Sequence, residues 1–399
     1  MLYILIHICL SLMRVYIAMY GVGLGHASRM LLVANDLSHH DVTVQFSSFG
    51  DSVNYIKSHG IECFSGPSID MGWGTDRSFS VKESITKLPK NFRSFLAQLG
   101  TEGRNIGNFK PDVVISDTRL SSLLMAKALD VPCITILNQI KLLLSPRLHE
   151  FRVARVFEDM LGEILGSLWT RSDSVLIPDL PPPYTLSEQN IWPVGSSINK
   201  LRYIGFMAPK PTINEECVNK VAKLLDVTRN KPIVFAHISG PTPTKMIVLK
   251  KIMEAVKDND KIQFVVSEGI PNGDTVPKRI KNGWYFEWCP VRDEIFAMSD
   301  LLLTRGGHST LAQTIQYGNP VITIPIRNHG EQLGNANKIQ KIGLGLMLKE
   351  KGLKSEDISN AIELVLNDSS FSNNAKMLMD ISNKLNGVNN IVNVVRSYC

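Results

Sequence analysis

Two glycine loops that each end in histidine hold the residues best suited to chemistry. In YGVGLGHASRM, residues 20–30, His26 follows Gly25 directly and opens a stretch of helical periodicity. An imidazole placed there can act as a general base, because imidazoles gain and lose a proton near neutral pH. In LLLTRGGHSTLAQ, residues 301–313, an apolar run passes through Gly306 and Gly307 into a helix-like stretch that begins with His308, Ser309 and Thr310. Glycines let the backbone approach an anion, the first N–H groups of a helix carry partial positive charge, and Arg305 adds a full one. Each loop also has a plainer reading, His26 as a packing or capping residue and the second loop as an ordinary turn capped by Ser309.

A dinucleotide cofactor fits the first loop poorly. Its glycines run G-x-G-x-G, one residue short of the G-x-G-x-x-G spacing, and the next strand, VTVQFSSFG, ends without the acid that would hold a ribose. The DND at 258–260 resembles a metal-binding pair of acids, but it lies in a polar turn. Neither a resident cofactor nor a metal site is expected.

The elements around the loops alternate strand and helix. Strand patterns at 14–20, 42–46, 112–116 and 133–137 are apolar on both alternations, and helix 27–38 carries Met30, Val33, Ala34 and Leu37 on one face. Proline crowds residues 177–213, too densely for regular structure. The alternation then restarts with strand 233–238, the loop SGPTPT containing Gly240, a helix from 244, strands 262–266 and 301–304, helix 308–317 and strand 321–326. This predicts an α/β fold of two Rossmann-like parallel-sheet domains facing across a cleft. The expected divisions are an apolar extension at 1–12, a first domain at 13–208, a second at 209–375, and a terminal helix within 376–399 that packs back on the first.

Composition narrows the classes. A chain of 399 residues exceeds one comfortable core, which stops growing near ~250–300 residues. Six cysteines without a C-x-x-C pair argue against a zinc ribbon or disulfide framework and for a reducing, cytoplasmic compartment. A net charge of +6 permits contact with anionic headgroups or phosphorylated ligands but falls short of a nucleic-acid-binding signature. The opening MLYILIHICLSL lacks the basic start and cleavage site of a signal peptide and is shorter than the ~20 residues of a membrane span, so Met13 reads as an alternative start. Basic residues are interleaved with apolar ones in VKESITKLPKNFRSFLAQ, 81–98, and in KLLLSPRLHEFRVARVF, 141–157. Such segments suit either an anionic membrane surface or a solvated helix with its apolar face in the core.

The ordered series W-C-P at 288–290, R-G-G-x-x-T-x-x-Q at 305–313, P-x₅-E-Q-x-x-N-A at 325–336 and G-x-G at 343–345 resembles the donor-binding region of the UDP-glycosyltransferase superfamily. That superfamily includes the plant and animal UDP-sugar transferases and the MurG-type N-acetylglucosaminyltransferases, all of the two-domain GT-B fold. The resemblance implies that Trp288 stacks on the nucleotide base. Thr310, with Ser309 and His308 beside it, Arg305, Gly306 and Gly307 would hold the diphosphate, and Gly240 joins the donor-binding set. Glu331 and Gln332 would bind the donor sugar. Gln313 departs from the usual glutamate, so the ribose hydroxyls would meet a neutral amide. The resemblance also implies that His26 is the base that deprotonates an acceptor hydroxyl, with Gly23 and Gly25 forming the acceptor-side loop. It nominates Asp117, ending the strand in KPDVVISDTRL, as the residue orienting His26, although MurG-type enzymes lack this dyad. A helix cap is the plainer role for Asp117.

The implied activity is inverting, metal-independent hexosyl transfer from a nucleotide-sugar, in the first instance a UDP-sugar. The acceptor is a sugar, a small molecule or a lipid-linked hydroxyl, with peripheral contact at the inner face of the cell membrane. Two alternatives share the fold, a sugar-nucleotide epimerase and a non-catalytic nucleotide-sugar-binding partner subunit.

Overall fold

The computed structural model describes residues 12–22, 24–69, 86–140, 150–191, 200–208, 211, 214–228, 230–240, 242–270 and 273–398. Residues 1–11, Gly23, and the parts of the two basic segments at 81–85 and 141–149 lie outside that description. Among the described residues, no helix is long and apolar enough to cross a membrane.

Seven strands form the first sheet: β1 (Met13–Met19), β2 (Val42–Ser48), β3 (Cys63–Ser65), β4 (Val113–Asp117), β5 (Cys133–Ile136), β6 (Ser174–Ile177) and β7 (Leu201–Tyr203). Their spatial order is β3-β2-β1-β4-β5-β6-β7, parallel throughout. The second sheet holds β8 (Ile233–His237), β9 (Gln263–Ser267), β10 (Lys278–Ile280), β11 (Gly283–Phe286), β12 (Leu301–Thr304), β13 (Val321–Thr323) and β14 (Gly345–Met347). Its order is β10-β11-β9-β8-β12-β13-β14, parallel except for the β10–β11 pair.

In both sheets the strand order reverses beside the first strand. The carboxyl ends of β1 and β4 are therefore neighbours in one half, and those of β8 and β12 in the other. Open parallel sheets bind ligands at such reversals, because the two connecting loops leave toward opposite faces and open a crevice between them. The first crevice is bounded by the loop before His26 and by Asp117, which lies in register with Met19. The second is bounded by the loop containing Gly240 and by the loop Arg305–Gly307, with Thr304 in register with His237.

Helices cover both faces of each sheet, which is why the central strands are apolar on both alternations. The first half carries α1 (Gly25–Ser38), α2 (Asp51–Ser58), α3 (Leu88–Phe109), α4 (Leu120–Ala128), α5 (Arg152–Trp169) and the short α6 (Glu188–Ile191). The second carries α7 (Glu215–Leu224), α8 (Thr242–Asp258), α9 (Arg292–Met298), α10 (His308–Gln316), α11 (Gly330–Lys341), α12 (Ser355–Asn367) and α13 (Ser369–Asn383). The last helix, α14 (Gly387–Arg396), buries Ile391, Val392 and Val395 against the first sheet and α1. Within 376–399, then, the piece that crosses back is α14. Residues Ala375 and Leu378 of α13 belong to the second core.

The connection between the halves is laced into both. β7 completes the first sheet, yet Leu180, Leu186 and Phe206 are buried in the second core. The proline-rich stretch does hold regular structure, contrary to expectation: α6 and β7 form between its prolines, because Pro182 and Pro183 stay at the surface while Leu180, Leu186 and Phe206 anchor the strap.

Candidate functional site

The first loop is shaped by contacts that admit no side chain. A Cβ on Gly21 would lie 2.0 Å from the Phe49 carbonyl oxygen, so glycine is required where β1 turns past the end of β2. A Cβ on Gly25 would lie 3.0 Å from the Ser309 hydroxyl. The first turn of α1 therefore abuts the first turn of α10 across the cleft, and the two glycine loops meet. Neither helix start has a side-chain cap, in contrast to α7, α13 and α14, which are capped by Asn214, Asp368 and Asn386. The cap expected of Ser309 is absent: Gly307 occupies that position and Ser309 is exposed. Two helix starts without side-chain caps thus lie side by side, and uncapped N–H groups of this kind suit an anion.

His26 projects from the first turn of α1, its side chain 23% exposed, and its Nδ1 lies 3.0 Å from Asp117 Oδ1. The Tyr20 ring packs edge-on against it at 5.8 Å between centroids. Asp117 is fully buried and does not cap the helix that follows it, whose cap residue is Arg119. The turn after β4 places Thr118 at φ 53°, a sparsely populated conformation for a β-branched residue that holds the carboxylate at the strand end.

A residue that the sequence reading passed over completes the group. Arg29, one turn beyond His26, donates from Nε to Asp117 Oδ2 at 2.7 Å and from Nη2 to Asp117 Oδ1. Its Nη1 donates to Asn138 Oδ1 at 2.8 Å. Burial pushes the Asp117 carboxyl upward, but the Arg29 guanidinium and His26 outweigh it and hold the group well below the usual carboxylate range. Asp117 is ionised. The available signal was the i, i+3 spacing of His26 and Arg29, which places both on one helix face.

The donor-side residues divide into two groups. Thr310 and Trp288 are half-buried, Glu331 and Gln332 likewise, and Gln313 is buried one turn into α10. Gly240, exposed after β8, stands at φ 125°, a conformation that favours glycine, with open space where a Cβ would be. Gln332 receives the Ile326 N–H at 2.9 Å through Oε1, and Asn335 donates to the Gly306 carbonyl at 3.1 Å, tying α11 to the glycine loop.

Arg305 and His308 are held by protein partners. Arg305 is 2% exposed, and its Nη2 donates to Glu350 Oε1 at 2.8 Å, while Glu350 Oε2 takes the Arg327 N–H at 2.8 Å. Burial lowers the guanidinium's pKa and Glu350 opposes the fall. This pair braces the loop leading to Glu331, while Arg305 Nε and Nη1 are buried with no hydrogen-bond partner among the described residues. His308 Nε2 lies 3.1 Å from Asp179 Oδ2, with the imidazole edge-on to Phe206. Asp179 also receives the N–H groups of Leu180, Leu186 and Ser187 and the Ser187 hydroxyl. His308 therefore fastens the start of α10 to the interdomain strap, and Lys338 of α11 repeats the link through Glu188 at 2.6 Å. His237, also missed in the sequence, ends β8 buried, with Nδ1 unpartnered; burial holds its pKa at about 3, so it is neutral.

The comparisons with known proteins follow this geometry. Residues 13–156 match the family described as Glycosyl transferase family 1, and residues 247–393 match the Glycosyltransferase family 28 C-terminal domain. A Methanosarcina mazei protein described as an uncharacterized glycosyltransferase is 28% identical over 383 residues, covering 94% of this chain and 96% of its own. The UDP-N-acetylglucosamine–N-acetylmuramyl-(pentapeptide) pyrophosphoryl-undecaprenol N-acetylglucosamine transferase of Finegoldia magna is 30% identical over 159 residues, 37% of this chain and 42% of that one. Among solved structures, the calicheamicin glycosyltransferase CalG4 superposes with a TM-score of 0.68 at 15% identity, covering 97% of this chain and 98% of its own. The spinosyn rhamnosyltransferase SpnG complexed with thymidine diphosphate gives 0.67 at 16% identity, covering 96% of this chain and 100% of its own. Neither the epimerase nor the binding-subunit alternative is favoured by these likenesses. With both glycine loops at the strand-order reversals of two facing sheets, the chain is a glycosyltransferase belonging to the GT-B superfamily of UDP-glycosyltransferases and MurG-like enzymes.

Proposed function

We propose that this enzyme transfers a sugar with inversion from a nucleotide-sugar to an acceptor hydroxyl, with His26 as general base. The observation that carries the reading is the His26–Asp117 contact of 3.0 Å at the first crevice, beside the meeting point of the two glycine loops. With the Nδ1 proton directed to Asp117, Nε2 takes the proton of the acceptor hydroxyl. The acceptor oxygen bonds to the anomeric carbon as the bond from that carbon to the diphosphate breaks on the opposite face. The departing diphosphate gathers charge, and the uncapped starts of α10 and α1 stabilise it without a divalent ion. Arg305 adds its charge beside them, and its Nε and Nη1, which lack protein partners among the described residues, are the donors that support this role.

The donor in this reading is a UDP-sugar, in keeping with the motif series from Trp288 to Gly345 and the relative named for UDP-N-acetylglucosamine. The acceptor is lipid-linked and met at the inner face of the cell membrane. In support, Leu88, Phe92 and Leu96 of α3 are exposed, and α5 exposes Val153, Val156, Phe157, Met160 and Ile164 along one stripe. The buried side of α3 carries Gln98, Glu102 and Ile106, so these apolar residues do not face the core. Replacing Phe157 and Met160 with serine should reduce co-sedimentation with anionic vesicles several-fold while leaving donor binding intact.

The test is a panel of nucleotide-sugars incubated with a membrane-lipid extract, scored for free nucleotide. Wild-type protein is expected to release UDP. His26→Ala should bind the donor normally and lose about 10²–10⁴ in turnover. Unchanged turnover in that variant would remove His26 as the base, and failure to bind or turn over any donor would overturn the transfer reading.

A further inference from the structure

Resting on the reading of His26 as the base, we propose that Arg29 is the positioning residue of the dyad. It locks the Asp117 carboxylate in one orientation and offsets its charge, so that the imidazole is kept as a proton acceptor. Arg29 is 6% exposed, and three of its nitrogens are engaged: Nε and Nη2 on the two Asp117 oxygens, Nη1 on Asn138. A planar fork on both carboxylate oxygens fixes the carboxylate plane. Oδ1 is thereby aimed at His26 Nδ1; in the tautomer that donates from Nδ1 to Oδ1, the lone pair is on Nε2.

The second effect is electrostatic. Asp117 presents a full negative charge 3.0 Å from the imidazole. Arg29 Nη2 lies 3.1 Å from the same ring nitrogen and sets a positive charge beside it. His26 then faces a neutral ion pair rather than a bare anion. The groups packed around it are Tyr20 from the end of β1, Asp117 and Thr118 from β4 and its turn, Arg29 from α1, and Asn138 beyond β5. Across the cleft, Ser309 of α10 stands at Gly25. Among these, Asp117 and Arg29 are the charged pair.

Two variants and two measurements test the assignment. In Arg29→Gln the positive charge is gone, so the imidazolium is favoured. The acid limb of the kcat/KM profile should move up by about one pH unit or more, and the NMR titration of the His26 imidazole should move with it. Arg29→Lys keeps the charge but cannot hold both carboxylate oxygens; the acid limb should stay near that of wild type while kcat falls. A His26 titration unchanged in folded Arg29→Gln overturns the proposal, as does an Arg29→Lys enzyme with wild-type kcat and imidazole shifts, which covers the case in which Arg29→Gln does not fold. A titration that moves while the rate profile stays put upholds the action of Arg29 on the ring and overturns His26 as the base, so the two readings fail on different observations.

Discussion

Replacing Asp117 with asparagine keeps the shape of the side chain and removes its charge. In the structure Oδ1 serves His26 Nδ1 and Arg29 Nη2, and Oδ2 serves Arg29 Nε at 2.7 Å. An amide has one acceptor, so one side of it must turn a donor toward a donor. With oxygen at the Oδ1 position, the NH₂ opposes Arg29 Nε; with oxygen at Oδ2, it opposes Arg29 Nη2 and forces His26 into the tautomer that cannot accept through Nε2. Arg29 is left as a buried, uncompensated cation. Breaking one partner of a buried pair costs about 3–5 kcal/mol, and loss of an oriented base costs about 10²–10⁴ in kcat. Urea unfolding and turnover of Asp117→Asn measure the two. The sign with pH follows from the depressed carboxyl of the folded state. Its stabilisation is complete above the unfolded-chain value near pH 4 and is lost as pH falls through the lower folded value. The stability gap between wild type and variant should therefore be flat from about pH 5 to 8 and narrow below about pH 4. A variant within about 1 kcal/mol of wild type and within twofold in kcat would refute the reasoning.

Three further outcomes are expected. Gly21→Ala should lose about 3 kcal/mol or more, because its methyl would sit 2.0 Å from a backbone oxygen, whereas Gly25→Ala meets only the exposed Ser309 hydroxyl and should stay within about 1 kcal/mol by thermal unfolding. Gln313→Glu should lower the KM for a UDP-sugar several-fold, since a charged acceptor binds ribose hydroxyls more strongly; a raised KM would show that Gln313 does not meet the ribose. Glu350→Gln should lower thermal stability and raise the donor KM, because it strips Arg305 of its counter-charge and leaves one acceptor oxygen for two donors, Arg305 Nη2 and the Arg327 N–H; an unchanged KM would detach that brace from donor binding.

Much of the frame is legible in the sequence. The failed G-x-G-x-x-G spacing, the apolar strands and the second glycine loop are local patterns, written in residues adjacent along the chain. His26 stood out because a glycine loop leads into it. Arg29 did not, although it lies three residues on, because nothing local tells a charged helix residue bound for solvent from one bound for a buried carboxylate. Arg305 and His308 show the same limit from the other side. Their motif says nothing of the protein groups that hold them, Glu350, 45 residues away, and Asp179, 129 residues away.

The sequence by itself determined which residues could form strands, turns and helix starts, because steric and periodic preferences act between near neighbours. The tertiary structure alone decided that Asp117, 91 residues after His26, stands beside it, since that depends on β4 lying against β1. It also decided which counter-charge each buried cation meets. A buried charge must find a counter-charge or pay the cost of desolvation, and the partner is whichever group the assembled core brings within reach.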